Sequence, residues 1–550
     1  MPAAATRSSP LADLWSRFAA VPDGRRISGT VPVAIFGAMV AAAASAVTVS
    51  RHINMDYGDA MAHLTIARRI IDSKSAGFRQ LGTVWLPAPH LLLMPFVQNT
   101  WLWHTGIAAC IVGVGSMAVS TASIYRICAR VGIGRNGRVV ALVIFLANPS
   151  LLYAYTTALT EPVLIASMLA CIAGLAGWAL SERRLSGGEL AVFAGIPAGV
   201  SVLTRYEGWA LVVSGTIFVA IASLRRGDSW GRSIQFCISF AAVPVVAIGW
   251  WFAYNLATYG NPFEFLTGPY SAQAFAADFI SQGTLTTKGN AGLSVWVLGW
   301  AVIESSGLFP IVLGLVGLVA MTIYWGISTR ALVIWLAVTS LAFLIVTLVG
   351  GQSIMVNDHS LPTGWYNSRY ALSVSPAFAL GGAWIVNAIP ARSWRGLAMA
   401  LCIAGVAAQC LWWSQDLNRR SAVLAEAHQG HGLQLKVKET SRWLGRNYDG
   451  GSILMDESAP DLAVAPIIGV PLSDVFNRSS GPLFAKACAN PSRYAKWVLM
   501  HRADVRFVAT KAGIDRVSKA LLGDPQFLAQ YRLVHANGNF GVYERIGGAS

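Results

Sequence analysis

Two acids and a histidine, Asp56, Asp59 and His63, stand in the stretch DYGDAMAHLTIARR that follows the first long apolar segment. On a helix, positions i, i+3 and i+7 share one face. The spacing therefore predicts a stripe of two carboxylates and an imidazole. The rest of that helix is apolar, with Met61, Leu64, Ile66, Ile70 and Ile71. Such a stripe, placed where lipid ends, suits proton abstraction or metal binding. The competing reading is an interfacial helix whose polar face meets water. Arg68 and Arg69 close the stretch, and either phosphate binding or snorkelling to the membrane interface accounts for them.

Five further sets of residues could do chemistry. Arg205 lies at the outer end of an apolar segment beside Tyr206 and Glu207. An arginine is unexpected on that side, so it is either a ligand-binding group or one half of a pair with Glu161 or Glu207. Arg369 opens a later apolar segment and poses the same choice. Glu161, followed by Pro162, suits a helix N-terminus, where negative charge is favoured. His90 and His359, with Asp358, could join Asp56, Asp59 and His63 around a divalent metal. Trp85, Trp101, Trp103, Trp365 and Tyr366 could stack on a sugar, although an interfacial belt explains them too.

The elements that hold these residues are membrane spans. Hydrophobic residues make up 55% of the 550, charged residues only 12%, and mean hydropathy is +0.53. Soluble domains carry about 25% charged residues, which excludes an ordinary soluble enzyme. Net charge is +15, yet much of the excess sits in short loops, where it reports topology rather than a nucleic-acid partner. Six of the seven cysteines lie in apolar segments, and no C-x-x-C pair occurs. Neither a disulfide framework nor a cysteine metal site is indicated.

Apolar runs of spanning length fall at about 28–50, 105–128, 139–155, 161–180, 189–204, 208–224, 233–257, 308–325, 331–349, 371–389 and 396–413, or about eleven spans. The stretch 87–97 is too short to cross and reads as re-entrant or interfacial. The loops 130–138, 181–188, 225–232, 328–330 and 390–395 all carry arginine and are short. Their alternates, 51–104, 258–307 and 350–370, are longer and contain acids. The positive-inside rule then predicts a cytoplasmic N-terminal segment, 1–27, and an exoplasmic C-terminus. Residues 28–413 form the membrane module. Residues 414–550 turn polar and alternate helix and strand signals: an amphipathic helix in HGLQLKVKETSRWLGRNY, and strands in GGSILMDES and RADVRFVATKAG. The prediction is a small exoplasmic α/β domain.

An acidic motif in the first long loop, with an Ala-Arg pair eight and nine residues on, resembles the GT-C glycosyltransferases. That group uses polyprenyl-phosphate sugars and includes aminoarabinose and protein-mannosyl transferases, the latter of glycosyltransferase family 39. Its D-E-x-x-Y-x-x-x-A-R pattern falls here on Asp59, with Ala60 replacing the Glu, His63 as the aromatic and Ala67-Arg68 as the pair. WLPAPHLLLMPF (85–96), LTEP (159–162), LTRYEGW (203–209), GNPFEFLTGPYS (260–271) and NSRYALSVSP (367–376) are similar to segments of the same superfamily. Aminoarabinose-type members carry a lysine before the paired prolines, where this chain reads TVWLPAP. The W-W-D-Y-G motif of oligosaccharyltransferases is missing after residue 414, which argues against en bloc oligosaccharide transfer.

The resemblance implies an α-helical polytopic GT-C-like fold and a glycosyltransferase of a bacterial plasma membrane. It would move a sugar, with inversion, from a polyprenyl-phosphate donor to a glycan, lipid or protein acceptor. Asp59 is the expected general base, with Asp56 assisting. Arg205, Arg369 or Lys288 would hold the donor phosphate in place of the missing lysine. His63, Trp85, His90, Glu161 and Tyr206 would line the substrate, and a divalent metal remains an option. The rival class is a lipid or glycolipid transporter or flippase, which needs ionisable residues along a midplane pathway. These spans carry few.

Overall fold

The computed structural model describes residues 27–269, 271–457, 464–502 and 515–547. Helices dominate. After α1 (Thr30–Ser50) come α2 (Gly58–Arg69) and the short α3 (Ala88–Val97), then α4 (Ile107–Arg130), α5 (Arg135–Leu146) and α6 (Pro149–Ala154). The chain continues through α7 (Glu161–Leu180), α8 (Gly187–Val202), α9 (Glu207–Arg225), α10 (Trp230–Tyr259) and α11 (Ala291–Ser306). It then forms α12 (Leu308–Trp325), α13 (Thr329–Val349), α14 (Ser368–Ala388, opening on a 3-10 stretch) and α15 (Arg392–Ser414).

Among the described residues, nine helices are long and apolar enough to cross a membrane: α1, α4, α7, α9, α10, α12, α13, α14 and α15. The molecule is a multi-pass membrane protein. Two of the eleven expected spans are shorter than expected. The run 139–155 breaks between α5 and α6, where Asn148 caps Pro149–Ala154 by accepting a hydrogen bond from the Leu151 N–H at 3.2 Å. A proline at the first helical position cannot continue the preceding helix. The run 189–204 becomes α8, which contains a π-helical turn at Ala191–Gly195. Conversely, the long loop 258–307 contains the apolar α11.

Most of α7 and α14 is buried, whereas few residues of α1, α10 and α15 are. The helices that carry candidate residues at their ends are therefore the central ones. Glycines set the closest approaches, as small residues do where helices pack in lipid. A Cβ built on Gly317 of α12 would run into the Gly381 carbonyl of α14, and one on Gly381 would run into Gly314.

Beyond α15 the amphipathic segment forms α16 (Ala422–Asn447). Five strands follow: β1 (Ile453–Leu454), β2 (Val475–Phe476), β3 (Trp497–His501), β4 (Tyr531–Asn537) and β5 (Phe540–Arg545). Their order is β2-β1-β3-β5-β4, with β1 parallel to β2 and β3, and β5 antiparallel to β3 and β4. The expected C-terminal α/β unit is present. The strand expected in RADVRFVATKAG falls almost wholly outside the described residues, as does the N-terminal segment before Ile27.

Gly317→Leu should cost more than the about 1–3 kcal/mol of ordinary overpacking, because backbone on the facing helix cannot yield. The expected result is a lower melting temperature and less monodisperse protein in detergent. Gly299→Leu on α11, where nothing lies within reach of a Cβ, should change neither.

Candidate active site

Four chain segments meet at one guanidinium. Arg369 sits in the 3-10 turn that opens α14 and is 6% exposed. Its Nη2 donates to Asp59 Oδ2 at the start of α2, its Nε to Glu161 Oε1 at the start of α7 (3.2 Å), and its Nη1 to Glu426 Oε1 of α16 (2.9 Å). The ring of Tyr57 lies 5.1 Å from the guanidinium carbon. Asn367, at φ 58°, makes the turn that aims Arg369, and Asn tolerates this left-handed conformation better than most residues. The Asn367 N–H donates to Glu426 Oε1 at 3.1 Å, so the same acid holds both the turn and its arginine.

Arg205 makes a second centre beside the first. Its Nη1 donates to Glu161 Oε1 and to Thr160 Oγ1, both at 3.1 Å, and its Nε donates to Glu207 Oε1 at 3.0 Å. Both pairings considered from the sequence are thus made at once. The Arg205 guanidinium also stacks over Tyr370, 4.0 Å from the ring centroid. Glu161, 1% exposed, bridges the two arginines through one oxygen, and its Oε2 is buried without a hydrogen-bond partner.

Four carboxylates face two guanidinium groups here, a formal excess of two negative charges. Three of the acids, Asp59, Glu161 and Glu207, lie in the first turns of helices, where the N-terminal dipole favours negative charge. Burial pushes the Glu426 carboxyl above the usual range, against the lowering effect of Arg369. Asp59 differs from the others. At 38% exposed, it is the acid an incoming molecule can reach.

Asp56 does not share that face. The helix begins at Gly58, so Asp56 precedes it and turns the other way. There its Oδ1 lies 2.7 Å from His431 Nδ1 and accepts from Lys438 Nζ at 3.3 Å. Lys438 also donates to the Met55 carbonyl at 2.9 Å. These bonds clamp the first loop to α16, as does the Tyr57 hydroxyl, which donates to the Val423 carbonyl at 2.9 Å.

His63 is on the helix but points to a different partner. Its Nδ1 lies 2.8 Å from His90 Nε2, and its ring is 4.5 Å from that of Trp85. Burial, with the charges of Arg369 and Arg205, holds the His63 imidazole down to about 3, and His90 is also lowered, chiefly by burial. Both rings are neutral at pH 7, so one donates to the other.

The structure thus brings together Asp59, Glu161, Arg205 and Arg369, with His63, Trp85 and His90 as a neighbouring buried group. Tyr206 stacks on Phe265 at 5.6 Å. Lys288 is exposed and lies across Gly351, and forms no ion pair with the cluster among the described residues. His359 stacks on Trp300 and faces Glu304 at 3.5 Å, so it joins neither Asp59 nor His63. Arg68 is taken by Asp72 (2.8 Å), the Val97 carbonyl (2.9 Å) and the face of Trp103. Arg69 donates to the Gln80 carbonyl at 2.7 Å. Among the described residues, no three His, Cys, Asp or Glu side chains form a metal-binding set. Asp59 Oδ2, Glu161 Oε1 and Glu426 Oε1 face arginine, whereas Glu161 Oε2 and Glu426 Oε2 accept no hydrogen bond from the described residues.

Sequence reasoning missed Glu426. Its one signal is a lone acid among small apolar residues, Ala422, Val423, Ala425 and Ala427, all buried. An acid on the buried face of an amphipathic helix needs a cation.

The architecture matches solved structures more clearly than any sequence. A crystal structure of ArnT from Cupriavidus metallidurans, bound to undecaprenyl phosphate, overlaps 92% of this chain and 98% of its own, at 13% identity and TM-score 0.58. The chain has the GT-C fold. The archaeal oligosaccharyltransferase AglB from Archaeoglobus fulgidus, in complex with an inhibitory peptide and a dolichol-phosphate, overlaps 86% of this chain and 69% of its own, at 11% identity and TM-score 0.44. No family model and no curated protein sequence matches the chain.

Two predictions follow from these charges. Arg369→Met leaves Glu426 without its cation and takes one partner from Asp59 and from Glu161, and should destabilise the protein by about 3–5 kcal/mol. Glu426→Gln removes an acid from an overcharged cluster and should cost far less; thermal unfolding in detergent compares the two. The second concerns Glu457, which accepts from Asn477 Nδ2 where the C-terminal unit meets the first loop. Burial raises its carboxyl to about 7, despite the charge of Arg69. A raised folded value means that its contribution is fully present below about pH 4.5. That contribution is lost as pH rises through about 7, so Glu457→Gln should flatten stability across this window.

Proposed function

We propose that the protein is a membrane glycosyltransferase that moves a sugar from a polyprenyl-phosphate donor to an acceptor hydroxyl or amine, with inversion. One observation carries this reading. In a chain with the GT-C fold, the single part-exposed acid of the cluster, Asp59, stands directly against Arg369, which shares Glu161 with Arg205, and the two arginines can receive a phosphate. His63 cannot serve as the base, since an imidazole that titrates near 3 takes no proton from an acceptor at neutral pH.

In the proposed step Asp59 takes the proton from the acceptor. The acceptor lone pair forms the new bond to the anomeric carbon, and the bond from that carbon to the phosphate oxygen breaks. The electron pair leaves on the lipid phosphate, whose growing charge falls to Arg205 and Arg369. Planar guanidinium groups suit phosphate oxygens. An acid locked to a guanidinium is a weak base, so the donor phosphate must draw Arg369 partly away from Asp59. Glu161 and Glu426 keep Arg369 in place while this happens.

The site belongs, in this reading, on the exoplasmic face of a bacterial plasma membrane. The arginine-bearing short loops support that orientation. The polyprenyl chain would lie between spans of the 28–413 module. The acceptor, a glycan, lipid or protein, would approach between the first loop and the 414–550 domain.

Asp59→Asn keeps the size of the side chain and should leave folding intact. Transfer from polyprenyl-phosphate sugars should fall by about 10²–10⁴-fold, measured with purified enzyme and a radiolabelled donor. Undiminished transfer would remove Asp59 as the base. Lipid translocation by wild-type protein in vesicles, with no transfer from any donor, would favour the transporter reading.

A further inference from the structure

A second charged site lies at the opposite ends of the helices that build the first. α7 starts at Glu161 and α9 at Glu207, both in the acid–arginine cluster. The far ends of these helices, Leu180 and Arg225, lead into the loops 181–186 and 226–229. Twenty residues of helix put about 30 Å between the two places. Between these loops and the first turns of α10 lies a cavity of about 480 Å³. Its charged walls are Arg183, Arg184, Arg226 and Arg232, with Glu189 and Asp228. Four cations and two acids leave a formal excess of two positive charges.

The acids do not neutralise the arginines. Glu189 is taken by Arg183 and by the cap it makes with Ser186 at the start of α8. Asp228 accepts from Arg184 Nη1 at 3.2 Å and lies 3.8 Å from Arg226 Nη2. The Arg226 guanidinium is fixed flat on Trp178, 3.9 Å from its centroid, and its Nε is buried without a hydrogen-bond partner. Arg232, on the first turn of α10, forms no ion pair among the described residues, and Arg184 is 65% exposed. The N-terminus of α10, capped by Ser229, adds its dipole.

The helix that supplies Arg232 also carries exposed apolar side chains on another face. Trp230, Ile234 and Ile238 of α10 recur every four residues and are 73%, 55% and 62% exposed. On a spanning helix such a stripe faces acyl chains. A net positive pocket at the ends of spanning helices is suited to the anionic head of a lipid. We propose that this cavity binds the phosphate headgroup of an anionic phospholipid, in the leaflet opposite the acid–arginine cluster, with its acyl chains in the surrounding hydrocarbon. The arginines of these two loops then do more than set topology.

The test uses the full-length protein in neutral detergent, titrated with cardiolipin, phosphatidylglycerol, phosphatidylcholine or glycerol phosphate, with bound lipid counted by native mass spectrometry. Cardiolipin and phosphatidylglycerol should bind at one site per chain, at least tenfold more tightly than phosphatidylcholine. Removal of each arginine should weaken that binding about fivefold. Arg232→Gln should therefore weaken it, and Arg184→Gln with Arg232→Gln should bring it to the phosphatidylcholine level. Arg232→Lys should keep most of it. If the double variant misfolds, the Arg232→Gln and Arg232→Lys pair decides, because Arg232 makes no ion pair in the fold. Equal binding of anionic and neutral lipid, or unchanged binding by Arg232→Gln, would overturn the proposal. Glycerol phosphate binding as tightly as phosphatidylglycerol would overturn the lipid as the source of the phosphate.

Discussion

Burying a guanidinium in a membrane protein is expensive unless acids surround it, and Arg369 is surrounded by three that are far apart in the chain. Asp59 comes from the first long loop, Glu161 from the start of α7, and Glu426 from the helix that leads into the C-terminal unit. Glu426 has no other cation partner among the described residues, and the arginine cannot stay buried without most of the three acids. The ion cluster therefore joins three regions that hydrophobic packing alone would leave free to slide. It also overrides a local preference, since a cation at the N-terminal turn of a helix opposes the dipole. Glu161 and Glu426 offset that cost.

The first loop shows how closely spaced charged residues can be given separate work. Asp56 is spent on holding α16, through His431 and Lys438. His63 is spent on His90, in a neutral pair with no spare basicity. Asp59 alone keeps an exposed edge beside the arginines. Architecture thus leaves one of the three groups, Asp59, part-exposed at the cluster. The same helices that end in this cluster end, on the other side, in a net positive cavity, so one pair of rods carries two sites of opposite charge.

Much of this organisation could be read without coordinates. The first loop, the residues Arg205 and Arg369, and the acid before Pro162 all stood out because charge is rare in a chain that is 12% charged. The C-terminal α/β unit followed from a change of composition at residue 414. Other expectations failed for identifiable reasons. Hydropathy counts length, not breaks, so it missed the Asn148–Pro149 interruption and the π-helical turn in α8. Helical spacing placed Asp56 with Asp59, but spacing has meaning only inside a helix, and this one begins at Gly58.

The sequence by itself determined that the chain is a polytopic membrane protein, with its scarce acids and arginines gathered at the ends of its apolar segments. That follows from the cost of placing charge in hydrocarbon, which acts on composition and order alone. Which acid meets which arginine was decided only by tertiary structure. Glu426 lies 57 residues beyond Arg369 and Asp59 lies 310 before it. No local pattern records such pairings. They exist because α16 packs over the first loop and brings its one buried acid to the turn at Asn367.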